Sequence, residues 1–302
     1  MRFSVRLPTD RVHLGDEFVS HAAVQELAMA AEVAGFGACF VTDHPFPVQR
    51  WLDGGGHHAL DPFVVLAMAA AATTRLRLQT HILVLPYRNP FLTAKSVLTL
   101  DVLSGGRVTL GVAAGYLKGE FAALGADFEH RNEVSDEAIL AMQRAWTEDD
   151  VHFEGRHFHA RGNTMHPRPA QRPHPPIWVG GNSRRAIRRA VELGQGWIPF
   201  PNTKAMAPFT RTAVLETDDD LLERIAYARR LADELGRTAP LDICYSLDAP
   251  TGDDLDAPRW LERVSRLHEH GVTWLAVGFP GETRVVQRTQ MARFSREVLL
   301  RL

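Results

Sequence analysis

The sequence has few cysteines and lacks a long apolar run. Only two cysteines occur in 302 residues, Cys39 and Cys244, and each lies in an apolar, strand-like segment. Two such thiols provide neither a disulfide framework nor the ligand spacing of a zinc site, which indicates a reducing compartment. The apolar, alanine-rich stretch 63–74 is shorter than the ~18 residues that a membrane-spanning helix requires. The sequence therefore predicts a cytoplasmic protein that does not enter a membrane.

Neither sign of charge dominates the chain. Lys and Arg number 34 against 36 Asp and Glu, a formal net charge of −2, so the basic excess typical of a nucleic-acid partner is missing. Histidine is plentiful, with 14 residues. A catalytic zinc site needs histidines and a carboxylate that converge from strand ends, however, and only His44 and His81 are so placed, without a His-x-His pair. A metal-dependent hydrolase is the less favoured alternative, and no metal ligand is predicted.

Eight strand–helix units are recognisable along the chain. Several of the strands are short apolar runs, as expected of parallel strands covered on both faces. The predicted strands are 3–7, 38–42, 76–83, 108–112, 177–179, 196–199, 241–245 and 274–277. Eight such units in this length predict a (β/α)8 (TIM) barrel. A doubly wound open sheet is the alternative, and it is disfavoured because no G-x-G-x-x-G follows the first strand.

Local signals mark where the helices begin and end. Asp61-Pro62 and Asn89-Pro90 each place a capping side chain before a proline at the first helical position. Gly35 and Gly236 each follow a run of helical periodicity, where a left-handed cap is expected. These signals support helices between the predicted strands.

Three segments interrupt the alternation. The segment 151–176 contains a predicted hairpin and then a proline-rich stretch that cannot be the interior of a helix. We expect a single barrel domain over residues 1–302 that carries this insertion. The long connections 117–132 and 200–217 follow strand ends and are candidates for a lid or a substrate pocket.

An anion-binding pattern follows the fifth predicted strand. The strand 177–179 runs directly into Gly180, Gly181, Asn182 and Ser183, and a helix with four arginines follows. Adjacent glycines let the backbone approach a ligand, and Asn182 or Ser183 can cap the helix. Exposed N–H groups and the positive end of the helix dipole would then suit a phosphate. An ordinary capped turn explains the same residues, so the pattern alone leaves both interpretations open.

Polar and small residues end three of the other strands. Asp43 and His44 follow the second strand, where they could fix a heterocycle or exchange a proton, although a solvated pair is the alternative. Thr80, His81 and Ile82 end the third strand. Small residues and then Gly115-Tyr116 follow the fourth strand. A flat ring could lie against the backbone there, or the small residues could simply pack where the barrel narrows.

Several segments together resemble a known family. They occur in order over almost the whole chain: FVTDHP, QTHILVLPYRNP, LDVLSGGRVTLGVAAGYLKGEF, HFEGRHF, HPRPAQRPHPPIWVGGNS and GVTWLAVGFPG. In this order and spacing the chain resembles the bacterial luciferase-like monooxygenase superfamily, most closely its branch of oxidoreductases that use the deazaflavin coenzyme F420. The resemblance implies a TIM barrel with insertions that binds a flavin or deazaflavin at its C-terminal face.

The resemblance also implies roles for individual residues. Asp43 and His44 match the pair at the ring and the substrate space, and are expected to be catalytic. The cofactor-binding residues that it implies are Asp43, Thr80, His81, Ile82, Gly115, Tyr116, Gly180, Gly181, Asn182 and Ser183, with a cis peptide between His81 and Ile82 and the phosphate at the glycine turn. Sugar-phosphate dehydrogenases of this branch have a glutamate where this chain has Tyr116, so their substrate and general acid are not carried over.

The expected activity is hydride transfer between coenzyme F420 and a small organic substrate, with His44 moving the accompanying proton. The alternative is a monooxygenase that uses reduced FMN from a separate reductase; a flavin-binding protein without catalysis is less favoured. F420 has an acidic tail, which cations near the exit of the cofactor site would bind. Arg50, Arg184 and Arg185 are the candidate cations. The aromatic residues Phe46, Trp51, Tyr116, Phe200 and Phe279 suggest an apolar substrate. Relatives of this kind often pair through outer helices, so a homodimer is expected.

Overall fold

Eight parallel strands close into a barrel in the computed structural model, which describes residues 1–249 and 257–302. The strands are β1 (Arg2–Arg6), β2 (Ala38–Val41), β3 (Arg77–Val84), β4 (Val108–Ala113), β5 (Val151–Glu154), β6 (His159–Asn163), β7 (Ile177–Gly180), β8 (Gly196–Ile198), β9 (Asp242–Asp248) and β10 (Trp274–Gly278). β5 and β6 pair only with each other, and the other eight follow one another around the ring until β10 pairs with β1. This closure confirms the predicted (β/α)8 barrel and excludes the open sheet.

Helices cover the outside of the barrel, and the expected capping residues begin and end them. The helices are α1 (His21–Ala34), α2 (Gln49–Asp53), α3 (Pro62–Ala72), α4 (Pro90–Leu103), α5 (Lys118–Ala123), α6 (Arg131–Thr147), α7 (Arg184–Leu193), α8 (Ala207–Thr210), α9 (Asp218–Glu234), α10 (Ala257–Glu269) and α11 (Arg284–Glu297). The Asp61 and Asn89 side chains each accept two N–H groups at the starts of α3 and α4. Gly35 and Gly236 have φ angles of +91° and +64°, as left-handed caps require.

The predicted hairpin is present, and it packs on α6. β5 and β6 are antiparallel, and the Glu137 carboxylate of α6 accepts the backbone N–H groups of Arg156, His157 and Phe158 in the hairpin turn. The proline-rich stretch after β6 forms neither helix nor strand before β7 begins. The hairpin therefore packs outside the barrel, against α6.

The hydrophobic core has two layers. A large cluster lies between the barrel and its helices, and a smaller one fills the barrel interior with Trp178, Ile198 and Trp274. Cys39 is in the outer layer and Cys244 in the inner one; both are free, and burial raises the pKa of each thiol to about 12. Among the described residues, the helices are all too short or too polar to span a bilayer. Side chains of the described residues therefore fill the interior of the barrel and leave no channel for a ligand there.

Candidate functional site

A cavity with a volume of about 690 Å³ opens at the carboxyl ends of the barrel strands. Arg6, Ala113 and Gly180, from the ends of β1, β4 and β7, contribute to its lining. The connections 117–132 and 200–217 also reach it, so both border the site as predicted. The volume lies within the range of roughly 300–1,000 Å³ that small-molecule and cofactor sites span.

Most of the residues expected at the site line this cavity. They are Asp43, His44, His81, Ile82, Gly115, Tyr116, Gly180, Gly181 and Ser183. Thr80 and Asn182 lie behind the lining instead, where both are buried. The Thr80 hydroxyl donates to the Gly111 carbonyl at 2.7 Å, and the Asn182 amide donates to the Phe200 and Ala213 carbonyls. These two side chains therefore hold the loops that form the cavity.

His44 is held by a buried glutamate that sequence reasoning missed. Its Nδ1 lies 3.3 Å from Oε2 of Glu120, at the start of α5. The Tyr87 hydroxyl donates to the same oxygen at 2.9 Å, and the Phe46 N–H donates to Oε1 at 2.9 Å. Burial alone would raise the pKa of the Glu120 carboxyl, but these hydrogen bonds outweigh it and lower that pKa. With Nδ1 engaged by a carboxylate, Nε2 of His44 is the nitrogen left to exchange a proton.

Asp43 is fixed by an ion pair. Its two oxygens lie 2.6 and 2.9 Å from the Arg88 guanidinium, and Oδ2 also accepts the Val84 N–H at 3.0 Å. Burial opposes the charge of Arg88, but the hydrogen bond and charge of Asp43 outweigh it and raise the pKa of the guanidinium. Both carboxylate oxygens are thus occupied, which suits a positioning role better than proton transfer.

Backbone forms one side of the cavity, where β3, β4 and β7 end. The peptide bond between His81 and Ile82 is cis, which confirms that expectation, and the register of β3 against β4 shifts at this point. Gly115 has φ +78°, and a Cβ there would lie 2.6 Å from the Val84 side chain. At Gly180 a Cβ would overlap the Ile82 side chain. Glycine at these two positions therefore lets the backbone lie close against Val84 and Ile82.

The glycine turn after β7 offers fewer amides than its sequence suggested. The Gly181 N–H donates to the Ile198 carbonyl at 3.2 Å, and the Asn182 N–H donates to the Thr212 hydroxyl at 2.9 Å. The Ser183 hydroxyl caps α7 by accepting the Ala186 N–H at 3.2 Å. Because Ser183 and Thr212 already accept an N–H, their own hydroxyl protons remain for an anion in the cavity. Thr212 was not predicted, since only the fold brings it to the turn.

Aromatic rings surround His44, and of these the His57 and Tyr116 rings line the cavity. The His57 ring centroid lies 4.9 Å from that of His44, and the Trp51 centroid lies 4.5 Å from it. Burial, with a smaller effect from His44, lowers the pKa of His57 to about 4, so its ring is neutral near pH 7. Its Nε2 is buried without a hydrogen-bond partner among the described residues. The glycine-rich loop that carries His57 has no periodicity that could have indicated this placement.

His81 is a second neutral imidazole at the site. Burial lowers its pKa to about 4, and its Nε2 lies 3.3 Å from the Ser246 hydroxyl. Of the aromatic residues expected near a substrate, Tyr116 and Phe200 line the cavity. Trp51 does not line it, Phe46 is 67% exposed and Phe279 belongs to the core. In the parts of the chain that the structure describes, no three His, Cys, Asp or Glu side chains are grouped to hold a metal ion.

Comparison with known proteins agrees with this geometry. The model of the luciferase-like monooxygenase family matches residues 1–257. An uncharacterized protein of Mycobacterium tuberculosis is 34% identical over 267 residues, which cover 84% of this chain and 83% of the relative. The FMNH2-dependent dimethylsulfone monooxygenase of Pseudomonas putida is 36% identical over 59% of this chain and 48% of its own length. The F420-dependent glucose-6-phosphate dehydrogenase of Intrasporangium calvum is 30% identical over 72% of this chain and 64% of its own length.

Solved structures share the fold at lower identity. The monooxygenase RslO1 from Streptomyces bottropensis superposes with a TM-score of 0.78 at 21% identity, covering 100% of this chain and 99% of its own. The coenzyme F420-dependent tetrahydromethanopterin reductase from Methanopyrus kandleri gives 0.75 at 16% identity, covering 99% of both chains. With the family match, the closed barrel and the cavity at its carboxyl end, the chain belongs to the luciferase-like monooxygenase family of oxidoreductases.

Proposed function

We propose that this protein transfers hydride between coenzyme F420 and a small organic substrate. The observation that carries the proposal is one continuous cavity whose lining has three chemically different parts. It joins the flat backbone surface at Ile82 and Gly180 to the hydroxyls of Ser183 and Thr212, and it reaches His44 on the other side. A cofactor with a planar ring and a phosphate fits this order of surfaces, and a relative with F420 in its name is 30% identical.

The residues that would hold the cofactor follow from the contacts above. Ile82, Gly115 and Gly180 present the surface for the ring, and Ser183 and Thr212 present hydroxyl donors beside the N-terminus of α7 for the phosphate. When bound, the deazaflavin supplies a carbon that donates or accepts hydride, which the side chains of the protein cannot do. The protein binds the cofactor and the substrate, orients them towards each other and protects the reacting groups from solvent.

His44 is the residue we assign to proton transfer. Its Nδ1 faces Glu120, so the imidazole is held in one orientation and Nε2 gives or takes the proton that accompanies hydride transfer. Asp43 holds the backbone of Val84 and the Arg88 guanidinium, which keeps the loop that carries His44 in place. Asp43 is thus a positioning residue, in place of the catalytic role expected from the sequence.

The rings around His44 favour an apolar substrate. Tyr116 and His57 line the cavity beside the imidazole, and His57 is neutral near pH 7. Burial, followed by the charge of Glu120, raises the pKa of the Tyr116 hydroxyl to about 12, so this ring also stays uncharged. A substrate that displaces water from these rings gains free energy from apolar contact.

A monooxygenase that uses reduced FMN is the second candidate. The dimethylsulfone monooxygenase, 36% identical over 183 residues, favours it, and the ring surface and hydroxyl donors suit FMN equally. Such an activity would require a separate reductase to supply the reduced cofactor. Titrating the purified protein with F420 and with FMN in parallel decides between the two. Tighter binding of F420 is expected, and saturable binding of FMN alone would overturn the proposal.

Replacing His44 tests its assigned role. In His44→Ala we expect turnover to fall by roughly 10²–10⁴-fold, because the proton loses its carrier, while the Kd for the cofactor stays unchanged. Substrates for the assay come from screening alcohols, aldehydes and unsaturated carbonyl compounds for a change in deazaflavin absorbance. His58→Ala is the matched control, since His58 is exposed in the same loop as His57. Turnover equal to that of the control would remove His44 from the mechanism.

A further inference from the structure

A row of hydrogen-bonded side chains crosses the barrel at the floor of the cavity. Nε2 of Gln79 lies 3.2 Å from Nδ1 of His81, and Nε2 of His81 lies 3.3 Å from the hydroxyl oxygen of Ser246. Gln79 and His81 belong to β3 and Ser246 to β9. Around the closed barrel, β4, β7 and β8 lie between these strands on one side, and β2, β1 and β10 on the other. The His81 ring therefore reaches from one wall of the barrel to the opposite wall.

This row decides which groups donate hydrogen bonds. The amide nitrogen of Gln79 can only donate, so Nδ1 of the neutral His81 ring accepts and the ring proton lies on Nε2. The Ser246 oxygen accepts from that N–H. In the described part of the chain, the O–H of Ser246 has no acceptor, and Ser246 lines the cavity. Ser246 therefore presents a hydrogen-bond donor to a molecule in the cavity.

Apolar side chains surround this donor. The ring centroid of Phe40 lies 4.6 Å from that of His81, and Ala276 is the register partner of Ser246 in β10. Both belong to the apolar cluster that fills the barrel interior. A donor in such surroundings loses free energy when the bound molecule brings no acceptor to it. It therefore distinguishes ligands that have an oxygen atom at this position from ligands that lack one.

The cavity has two facing walls that differ in chemistry. Backbone at Ile82 and Gly180, on β3 and β7, forms the wall that we assign to the ring of the cofactor. Ser246 on β9 and Arg6 at the end of β1 lie on the opposite strands and also line the cavity. Nη1 of Arg6 lies 3.5 Å from Oδ2 of Asp10, which offsets the charge of the guanidinium. This second wall suits a neutral oxygen atom better than a carboxylate.

We propose that Ser246 determines substrate specificity by donating a hydrogen bond to a neutral carbonyl or hydroxyl oxygen of the substrate. Gln79 and His81 are positioning residues, because they act on the substrate only through the direction of the Ser246 hydroxyl. The inference rests on the proposed function and deepens it by naming the substrate class, a largely apolar alcohol or carbonyl compound.

Binding of matched probe pairs tests the role of Ser246 without turnover. Each pair is a cyclic ketone, from cyclopentanone to cyclooctanone, and its methylene isostere. Their Kd values are measured by saturation-transfer NMR on protein loaded with the oxidised cofactor. We expect the wild type to bind at least one ketone about five- to tenfold more tightly than its isostere. This preference should disappear in Ser246→Ala and persist in Ser246→Thr, while the Kd of the isostere changes by less than about twofold.

Gln79→Leu tests the positioning role. Without the amide donor, the proton of the His81 ring distributes over both nitrogens, so part of the preference for the ketone should be lost. Nitrogen-15 NMR of the imidazole reports which nitrogen is protonated. We expect the proton on Nε2 in the wild type and a mixture in Gln79→Leu. A wild-type proton on Nδ1 would overturn the inference, because Ser246 would then donate to His81 instead of to a ligand.

Ser96→Ala is the matched control, since it removes the same hydroxyl from an exposed position on α4. Two results overturn the inference alone: a wild type that binds no ketone more tightly than its isostere, and a preference that survives in Ser246→Ala. Failure of the proposed function is seen separately, as the absence of F420 binding in the cofactor titration. Thermal unfolding of each variant verifies that it is folded.

Discussion

A glutamate buried at the start of α5 orients the histidine that follows β2. Glu120 has three hydrogen-bond partners from two segments, which are His44 and Phe46 after β2 and Tyr87 after β3. A carboxylate in such surroundings is charged, and it fixes both the rotation and the protonated nitrogen of the imidazole. In the proposed reaction Glu120 would therefore position His44 and would not contact the substrate.

The substitution Glu120→Gln tests this positioning role. The amide keeps the size of the side chain but loses its charge, so His44 is held less firmly and its protonated form is less stable. We expect kcat to fall roughly 10–100-fold, with KM and the Kd of the cofactor unchanged. Exposed Glu129→Gln serves as the control. A rise in KM together with weaker cofactor binding would indicate a structural role only.

At the scale of elements, the site depends on how closely β3, β4 and β7 approach one another. Thr80 of β3 donates its hydroxyl to the carbonyl of Gly111 in β4, at 2.7 Å. A Cβ at Gly111 would overlap the Thr80 carbonyl oxygen, which belongs to the backbone and cannot rotate away. His81 and Ile82 directly follow Thr80 in β3, so a glycine outside the cavity sets their position.

Gly111→Ala is expected to destabilise the protein. The strands must separate to admit the methyl group, so the free energy of unfolding should decrease by about 2–3 kcal/mol, measured by urea denaturation. Gly54→Ala is the control, because φ is −86° there and a Cβ would make only ordinary contacts at 3.5 Å. If the two variants differ by less than about 0.5 kcal/mol, the close approach of β3 and β4 has no energetic importance.

At the scale of the whole molecule, two neutral histidines link folding to pH. Burial lowers the pKa values of His57 and His81 to about 4 from 6.5, whereas both groups titrate near 6.5 in the unfolded chain. Between these values the unfolded state binds more protons than the native state. Their contribution to stability is therefore complete above pH 6.5 and is lost as the pH falls towards 4.

We expect the free energy of unfolding to decrease between pH 7 and pH 4.5, by up to about 1.4 kcal/mol per pH unit for each histidine. Urea denaturation at intervals of half a pH unit measures this slope. His57→Asn should reduce the slope, and exposed His152→Asn should leave it unchanged. A His57→Asn slope equal to that of the wild type would show that His57 is protonated in the native state.

The barrel and much of its open end were predictable from local patterns in the sequence. Short apolar runs and capped helices are local patterns, so eight strands could be counted, and parallel strands of a barrel place their carboxyl ends together. That rule is sufficient to place His44, Ile82 and Gly180 around one opening, and all three line the same cavity. The order of the motifs also indicated the family that the comparisons show.

Which polar groups already have a hydrogen-bond partner became known only from the folded chain. Glu120 and His44 are 76 positions apart in the chain and lie in contact in the structure. The Asn182 N–H, which the sequence pattern offered to a phosphate, donates to the Thr212 hydroxyl. Arg131 and Arg211 likewise reach the ring of Phe128 from two separate connections. Such pairings depend on distances and burial in space, and local sequence periodicity contains no record of them because residues far apart in the chain become neighbours only when the barrel closes.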